Sequence, residues 1–255
     1  MTKAKQIRVL ILLLALVPLA YLFFLEHDPR PDWTRAKVVV IYPHNPDDHE
    51  GVANWIDQLE SGHFEEIEAF FTQEASDHEL ALERPIEIRL ASAIDFAPPA
   101  PPRNGSHIER LRWAGGMRWW HFRFSRQHRE ADSIIVAHYH SPGGQGRTLH
   151  SVGMSRPRLA LVNLIAGDQP IRYNNLQLAH EILHTFGASD LYHFGTGQPE
   201  SPEGYAQPDR EPVYPQSRAE IMAMRIPMGP DQSRPALNLD EATIGAQTAR
   251  EIGWR

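Results

Sequence analysis

The pattern HExxHxxGxxD, which begins at His180, holds the side chains in this chain that are best suited to metal chemistry. His180 and His184 are four residues apart, so on an α-helix both imidazoles lie on one face and can bind a single zinc ion. Glu181 can reach a zinc-bound water without being a ligand itself. Gly187 allows a left-handed turn out of the helix, which would bring Asp190 toward the same ion. Two imidazoles, one carboxylate and an open fourth position are typical of a catalytic zinc site.

The residues around the motif favour a helix. An apolar face at helical spacing is formed by Leu176, Leu178, Ala179, Ile182, Leu183 and Phe186. Asn174 or Asn175 is the predicted N-cap of this helix. A bare HExxH also occurs by chance on ordinary amphipathic helices, but the positions of Gly187 and Asp190 argue against that interpretation.

The motif resembles the signature of the metzincin metallopeptidases, in which HExxHxxGxx is followed by a third metal ligand. An aspartate at that position, here Asp190, is similar to the snapalysin-type members. The resemblance implies a zinc peptidase with a methionine turn beneath the metal, for which Met222 is our first candidate and Met224 our second. Gap-filling in an ordinary core is the alternative role for both methionines. Several metzincins carry a tyrosine two residues after the turn methionine, but here that position is Met224.

Two other side chains are alternatives to Asp190 as the third ligand. His193 lies three residues later, and imidazole is a better zinc ligand by type. Glu203 lies 19 residues after His184, the spacing of the gluzincin pattern, although its Ser-Pro-Glu-Gly context predicts a turn. We rank Asp190 first, His193 second and Glu203 third.

The composition favours one catalytic domain of ordinary size. The chain has 255 residues, 42% of them hydrophobic, and a net charge of −7, so it can bury a core. It lacks a basic patch interleaved with aromatic residues, so no nucleic-acid partner is expected. Without cysteine, a disulfide framework is excluded.

The N-terminus contains an apolar run over residues 9–25, with three basic residues before it and two acidic residues after it. This pattern predicts a transmembrane signal anchor over residues 1–28, with a cytoplasmic tip. Residues 29–255 would then form a zincin-like catalytic domain on the extracytoplasmic side, either periplasmic or extracellular. A cleaved signal peptide, which would give a secreted protein, is the alternative.

Hydrophobic periodicity predicts an α+β (mixed α/β) fold. Strands are predicted at 37–42, 85–91, 131–140, 147–153 and 158–166, and helices at 51–72, 106–128 and 239–253 besides the motif helix. The resemblance implies a metzincin-like twisted mixed β-sheet packed on long helices. The tryptophan-rich segment 103–128 has no place in that family arrangement. Its aromatic residues predict either helix packing or an extra membrane contact.

Three further features bear on function. The strand at 147–153 is at the edge of the predicted sheet and can pair with an extended substrate. His138 and His140 share one strand face and are candidates for a second metal site, although a hydrogen-bonded pair is the commoner arrangement. The candidate hydrogen-bond donors to an oxyanion are Tyr192, His193, Tyr205 and Tyr214.

These features together predict a membrane-anchored, zinc-dependent endopeptidase. Zn2+ held by His180, His184 and Asp190 would bind a water, and Glu181 would assist its attack on a peptide bond. The expected partners are a protein or peptide substrate and the membrane. One alternative is a catalytically silent, metzincin-like periplasmic binding or assembly protein, and another is a zinc hydrolase of a non-peptide bond.

Overall fold

The computed structural model describes residues 3–25, 31–96, 98, 102, 105–126, 129–143 and 150–255. Parts of three predicted segments therefore lie outside the described residues: 1–2 and 26–28 of the anchor, 103–104 and 127–128 of the tryptophan-rich segment, and 147–149 of the edge strand.

The chain forms two compact units, Met1–Pro31 and Asp32–Arg255. Helix α1 in the first unit spans Lys3–Leu25. Among the described residues, no helix combines the length and apolar character that crossing a membrane requires. The predicted transmembrane anchor therefore has no support from the structure.

A five-stranded sheet forms the centre of the second unit. Its strands are β1 (Lys37–His44), β2 (Ile86–Leu90), β3 (Ser133–His140), β4 (Val152–Ser155) and β5 (Arg158–Ile165). Their spatial order is β2-β1-β3-β5-β4. Neighbouring strands are parallel, except that β4 runs antiparallel to β5 at the edge. This confirms the mixed α/β class. Strands buried on both faces have continuous apolar runs, as the Val-Val-Val-Ile sequence of β1 does.

The described residues of this unit form five α-helices. They are α2 (Glu50–Ile56), α3 (Glu65–Asp77), α4 (His107–Ser125), α5 (Ile171–Thr185) and α6 (Ala246–Glu251). The prediction of one helix over 51–72 was wrong, because a 3-10 turn at Ser61–Phe64 separates α2 from α3. Glu60, in an extended conformation, caps that turn and breaks the helical path.

The predicted final helix over 239–253 was also wrong in its first half. A 3-10 turn at Leu239–Glu241 leads into the short strand β9 (Ala242–Thr243), and α6 follows. β9 pairs with another short strand, β6 (Ala219–Glu220), and a hairpin is formed by β7 (Arg225–Gly229) and β8 (Gln232–Pro235). The backbone pairing of Glu220 with Thr243 keeps residues 242–243 extended, although their sequence pattern is typical of a helix.

The sheet separates two hydrophobic cores, because alternate residues of each strand point to opposite faces. Val39 and Ile41 of β1 face the larger core, which includes side chains of α3 and α5. Val38 and Val40 face the smaller core, which includes side chains of α4. The motif helix and the tryptophan-rich helix therefore pack on opposite faces of the sheet.

Candidate metal centre

Helix α5 presents the motif and is fixed to the sheet at its N-terminal end. The predicted N-caps were wrong, because the helix begins at Ile171 and both asparagines lie inside it. The amide of Asn174 accepts from the backbone N–H of Ile165 at 3.2 Å and donates to the carbonyl oxygen of the same residue at 2.8 Å. Asn175 donates to the carbonyl oxygen of His63 and to the carboxylate of Glu66. These asparagines thus join α5 to neighbouring elements.

Three predicted ligands converge at the C-terminal half of α5. The Nε2 atoms of His180 and His184 lie 3.1 Å apart, and their ring planes are at 89° to each other. Oδ1 of Asp190 lies 3.3 Å from Nε2 of His180 and 3.2 Å from Nε2 of His184. Among the described residues, these three form the only group of histidine and acidic side chains arranged closely enough to hold a metal ion.

Backbone carbonyl groups orient both imidazole rings. Nδ1 of His180 lies 3.0 Å from the carbonyl oxygen of Ile221, and Nδ1 of His184 lies 2.8 Å from that of Ala188. Because a carbonyl oxygen can only accept, each Nδ1 carries a hydrogen, and in the neutral imidazole each Nε2 therefore keeps its lone pair. Both lone pairs are therefore available to a metal at the point where the two Nε2 atoms meet.

The sequence reasoning missed these two acceptors. Ala188 is detectable in principle, since it lies four residues after His184 in the turn that Gly187 opens. Ile221 has no sequence signal besides its position directly before Met222, the first candidate for the turn methionine.

A turn at Gly187 brings Asp190 back toward the end of helix α5, as the sequence predicted. Gly187 has a φ of 106°, in the left-handed region that favours glycine. The N–H of Ala188 donates to the carbonyl oxygen of Leu183, and the N–H of Gly187 donates to that of His184. This pair of bonds is the Schellman arrangement that ends many helices.

Met222 lies in a turn next to the loop that contains Asp190. It is fully buried, whereas Met224 is half-buried with a positive φ of 57°. The carbonyl oxygen of Met222 accepts a hydrogen bond from the N–H of Leu191 at 3.1 Å. Since Leu191 follows Asp190 directly, this bond joins the turn to the third ligand.

Glu220, which the sequence reasoning did not single out, stabilises the turn that contains Met222 through hydrogen bonds to its buried carboxyl group. Its Oε2 accepts from the N–H of Met222 at 2.5 Å. Its Oε1 accepts from the N–H of Gly245 at 3.0 Å and from the hydroxyl of Thr248 at 2.6 Å. Burial raises the pKa of Glu220 to about 7, against the opposing effect of these three hydrogen bonds. The carboxyl group therefore ties the turn beside His180 to the start of α6.

The two alternative ligands lie outside the group. The side chain of His193 is 63% exposed, and its Nδ1 lies 3.6 Å from a carboxylate oxygen of Glu200. Glu203 is exposed in a turn, as its sequence context indicated. Neither belongs to the cluster that His180, His184 and Asp190 form.

The centre contains two carboxylates, the buried Glu181 and the half-buried Asp190. Burial alone would raise the pKa of Asp190, but its short contacts with the imidazoles of His180 and His184 hold the pKa well below its ordinary value. Glu181 is 6% exposed, and its Oε2 is buried without a hydrogen-bond partner. Burial raises the pKa of Glu181 above its ordinary value, although the two imidazoles act in the opposite direction. Asp190 is thus suited to stay anionic, and Glu181 to exchange a proton.

Of the candidate oxyanion donors, Tyr192 is the tyrosine that interacts with the centre. Burial raises its pKa to about 12, and the nearby Asp190 carboxylate adds to the effect. The hydroxyl groups of Tyr205 and Tyr214 instead lie 2.7 Å from each other.

The second histidine group is a hydrogen-bonded network on the sheet face opposite α5. Nδ1 of His138 lies 2.8 Å from Nδ1 of His44, so one of the two must donate to the other. His140 contacts Asp47 through Nδ1 and Asn163 through Nε2, each at 3.0 Å. Burial lowers the pKa of His138 to about 4, with further contributions from the two neighbouring histidines. Within the described residues these side chains do not form a group suited to a metal.

Comparison with known proteins adds no family to this description. The chain matches no protein-family model, and no curated protein matches it significantly.

Proposed function

We propose that this chain is a zinc-dependent endopeptidase of the metzincin type. The observation that carries the proposal is the convergence of His180, His184 and Asp190 beside the buried carboxylate of Glu181. The mostly parallel sheet with its antiparallel edge strand, and the methionine turn beside His180, support a metzincin-like fold.

The donor set fits zinc. Ligand atoms about 2.0–2.1 Å from a tetrahedral ion lie roughly 3.3 Å from one another, and the three separations here are 3.1, 3.2 and 3.3 Å. Two imidazoles and one carboxylate are ligands that zinc accepts, and three protein ligands leave one position for water or substrate. Oδ1 of Asp190 is buried without a hydrogen-bond partner in the protein, which a metal would satisfy.

The residues of the centre divide the chemistry between them. Zinc, when bound, supplies Lewis acidity, which acidifies water and polarises a carbonyl group. Glu181 accepts the proton of the attacking water at Oε2 and then delivers it to the leaving amine. Its raised pKa brings the carboxyl group closer to the range in which it can do both. The carbonyl groups of Ile221 and Ala188 keep the imidazoles in the tautomer that binds metal.

The edge strand β4 supports a peptide as the substrate. β4 ends the sheet among the described strands, and an extended chain can add to such an edge through backbone hydrogen bonds. Its Gly153 lies beside Glu181: a Cβ atom at this position would be 3.0 Å from Oε2. A peptide aligned along β4 would therefore pass close to the proposed general base.

The test measures zinc content and cleavage of a mixed peptide library by the zinc-loaded full chain. Glu181→Gln should keep its zinc and lose cleavage by a factor of about 100 or more, the usual contribution of a general base. Glu200→Gln, a change of the same kind at a carboxylate outside the cluster, should keep both.

Two results would overturn the proposal. Cleavage retained by zinc-loaded Glu181→Gln would remove the general base. A zinc-loaded wild-type chain that cleaves no peptide would favour the silent binding protein or the hydrolase of a non-peptide bond.

A further inference from the structure

Helix α4 carries large apolar side chains on two opposite faces. On the inner face Met117 and Trp120 are buried against the sheet, and Trp113 and Phe124 pack beside them. Trp120 stacks on Phe124 with ring centroids 4.2 Å apart. The helix packing that the sequence predicted for these aromatic residues is therefore present on the inner face of α4.

The outer face of α4 holds a second apolar stripe that faces solvent. It consists of Ile108, Leu111, Trp119 and Phe122, whose spacings of three, eight and three residues place them on one side of a helix. Leu111 is 73% exposed and Trp119 is 56% exposed. A surface helix normally has polar residues opposite its packed face, so the outer stripe of α4 is not explained by folding.

Arginines flank the outer stripe. Residues 105–126 contain five arginines and one glutamate, which gives this segment a charge of +4 in a chain whose net charge is −7. The guanidinium of Arg123 lies 5.0 Å from the ring centroid of Trp119, and that of Arg126 lies 4.7 Å from the ring centroid of Phe122. Positive charge is thus placed at the border of the apolar surface, in contact with its aromatic rings.

This combination matches the chemistry of an anionic lipid surface. Helices that lie in the plane of a membrane insert Trp, Phe and Leu into the acyl boundary, and their arginines meet lipid phosphates. The 19 residues of α4 extend over about 28 Å, and the stripe spans most of that length. An exposed apolar stripe bordered by arginines suits the plane of a bilayer.

We propose that the outer face of α4 is a docking surface for membranes that contain anionic phospholipids. α4 would lie parallel to the membrane, with Leu111 and Trp119 in the lipid boundary and Arg112 and Arg123 against phosphate groups. The proposal is independent of the metal centre, since α4 and α5 pack on opposite faces of the sheet.

The test places a fluorescent probe on α4 itself, so that lipid contact elsewhere on the chain does not interfere. The natural chain has no cysteine, so Leu111→Cys can be labelled at one site with an environment-sensitive dye in the full chain. Thr72→Cys, exposed on α3 at the opposite face of the sheet, is the matched control. Each labelled protein is mixed with vesicles of phosphatidylcholine alone or of phosphatidylcholine with phosphatidylglycerol.

The label at residue 111 should shift to the blue with phosphatidylglycerol vesicles and revert at high salt, while the label at residue 72 should not change. Arg112→Ala and Arg123→Ala should each weaken the vesicle affinity reported by the label at 111 about fivefold. Arg250→Ala, at an exposed arginine of α6, should leave it unchanged.

Three results would overturn the proposal. The first is a label at 111 that stays in water while the chain is bound to phosphatidylglycerol vesicles. The second is an equal response to phosphatidylcholine alone, which would remove the role of the arginines. The third is a blue shift without lipid that grows with protein concentration, because the stripe would then bind a second copy of the chain.

Discussion

Gly153 lies directly against His184 where the edge strand β4 passes over helix α5. A Cβ atom at residue 153 would collide with the Cβ atom of His184, and it would lie 2.9 Å from the carbonyl oxygen of Glu181. Only glycine allows this approach, because every other residue has a Cβ atom. The distance between β4 and the candidate centre therefore depends on the residue at position 153.

Gly153→Ala should impair catalysis more than folding. The added methyl group has to push β4 away from α5 or displace Glu181, and a shift of about 1 Å can cost about 100-fold in rate. The free energy of unfolding should fall by roughly 1–3 kcal/mol, as is usual for overpacking. Cleavage kinetics, zinc content and urea unfolding measure the three effects.

Gly115→Ala is the matched control for this substitution. Gly115 lies on helix α4, and a Cβ atom there meets nothing within 4 Å. This variant should keep full activity and gain slightly in stability, because alanine favours helix more than glycine does. Equal activity of the two variants would show that β4 does not need its close approach to α5.

Asp190→Ala should weaken zinc binding more than any other single change outside the two histidines. It removes one of three donors, so the loss should exceed the 10–100-fold typical of residues that only support a ligand. Competition with a chelator of known affinity gives the measurement. His193→Ala, which removes an exposed imidazole outside the cluster, should leave zinc affinity unchanged. The opposite pattern would transfer the third-ligand role to His193.

The pH dependence of stability should report on Glu220. Its pKa is about 7 in the folded chain and 4.5 in the absence of burial. Between these values the folded state keeps a proton that the unfolded state has released, so the free energy of unfolding falls as pH rises through this window. The total loss is on the order of 3 kcal/mol, at about 1.36 kcal/mol per pKa unit.

Urea unfolding at a series of pH values tests this behaviour. Glu220→Gln should reduce the decline between pH 4.5 and 7 and leave the part that Glu181 contributes, while Glu65→Gln, at an exposed carboxylate of α3, should retain the full decline. A decline that persists unchanged in Glu220→Gln would assign it to another group.

The parts of the site that depend on local spacing could be predicted from the sequence. The positions of His180 and His184 follow from helical periodicity, and the return of Asp190 follows from a glycine with positive φ. These relations involve residues within a few turns of one another, so a pattern can express them.

The parts that the sequence did not reveal depend on contacts between distant segments. The carbonyl group of Ile221 meets His180 across 41 positions of the chain, and Glu220 joins Thr248 across 28. The predicted helix at 239–253 failed for the same reason, whereas the predicted helix at 51–72 failed because of a local interaction. A cap at Glu60 and the pairing of Glu220 with Thr243 decide the backbone there, and neither leaves a periodic signal.

Tyr192→Phe should distinguish support of a metal ligand from stabilisation of the reaction. The Tyr192 hydroxyl interacts with the Asp190 carboxylate, and its pKa of about 12 keeps it protonated at neutral and moderately alkaline pH. As a donor to Asp190, it should raise zinc affinity, and its removal should weaken zinc binding about 10–100-fold. Zinc competition and kcat at saturating zinc are measured on the same preparations. Tyr173→Phe, at an exposed tyrosine of α5, is the control and should change neither quantity.

The zinc affinity and the kcat of Tyr192→Phe together show which of the two roles Tyr192 has. A lower zinc affinity with an unchanged kcat of the loaded enzyme assigns Tyr192 to positioning Asp190. An unchanged zinc affinity with a kcat reduced about 100-fold would contradict that role, because removing an oxyanion donor has this effect.

Below pH 10 the Tyr192 phenol should stay protonated in either role, because its pKa lies near 12. A loss of activity near pH 9 that Tyr192→Phe abolishes would therefore contradict both roles.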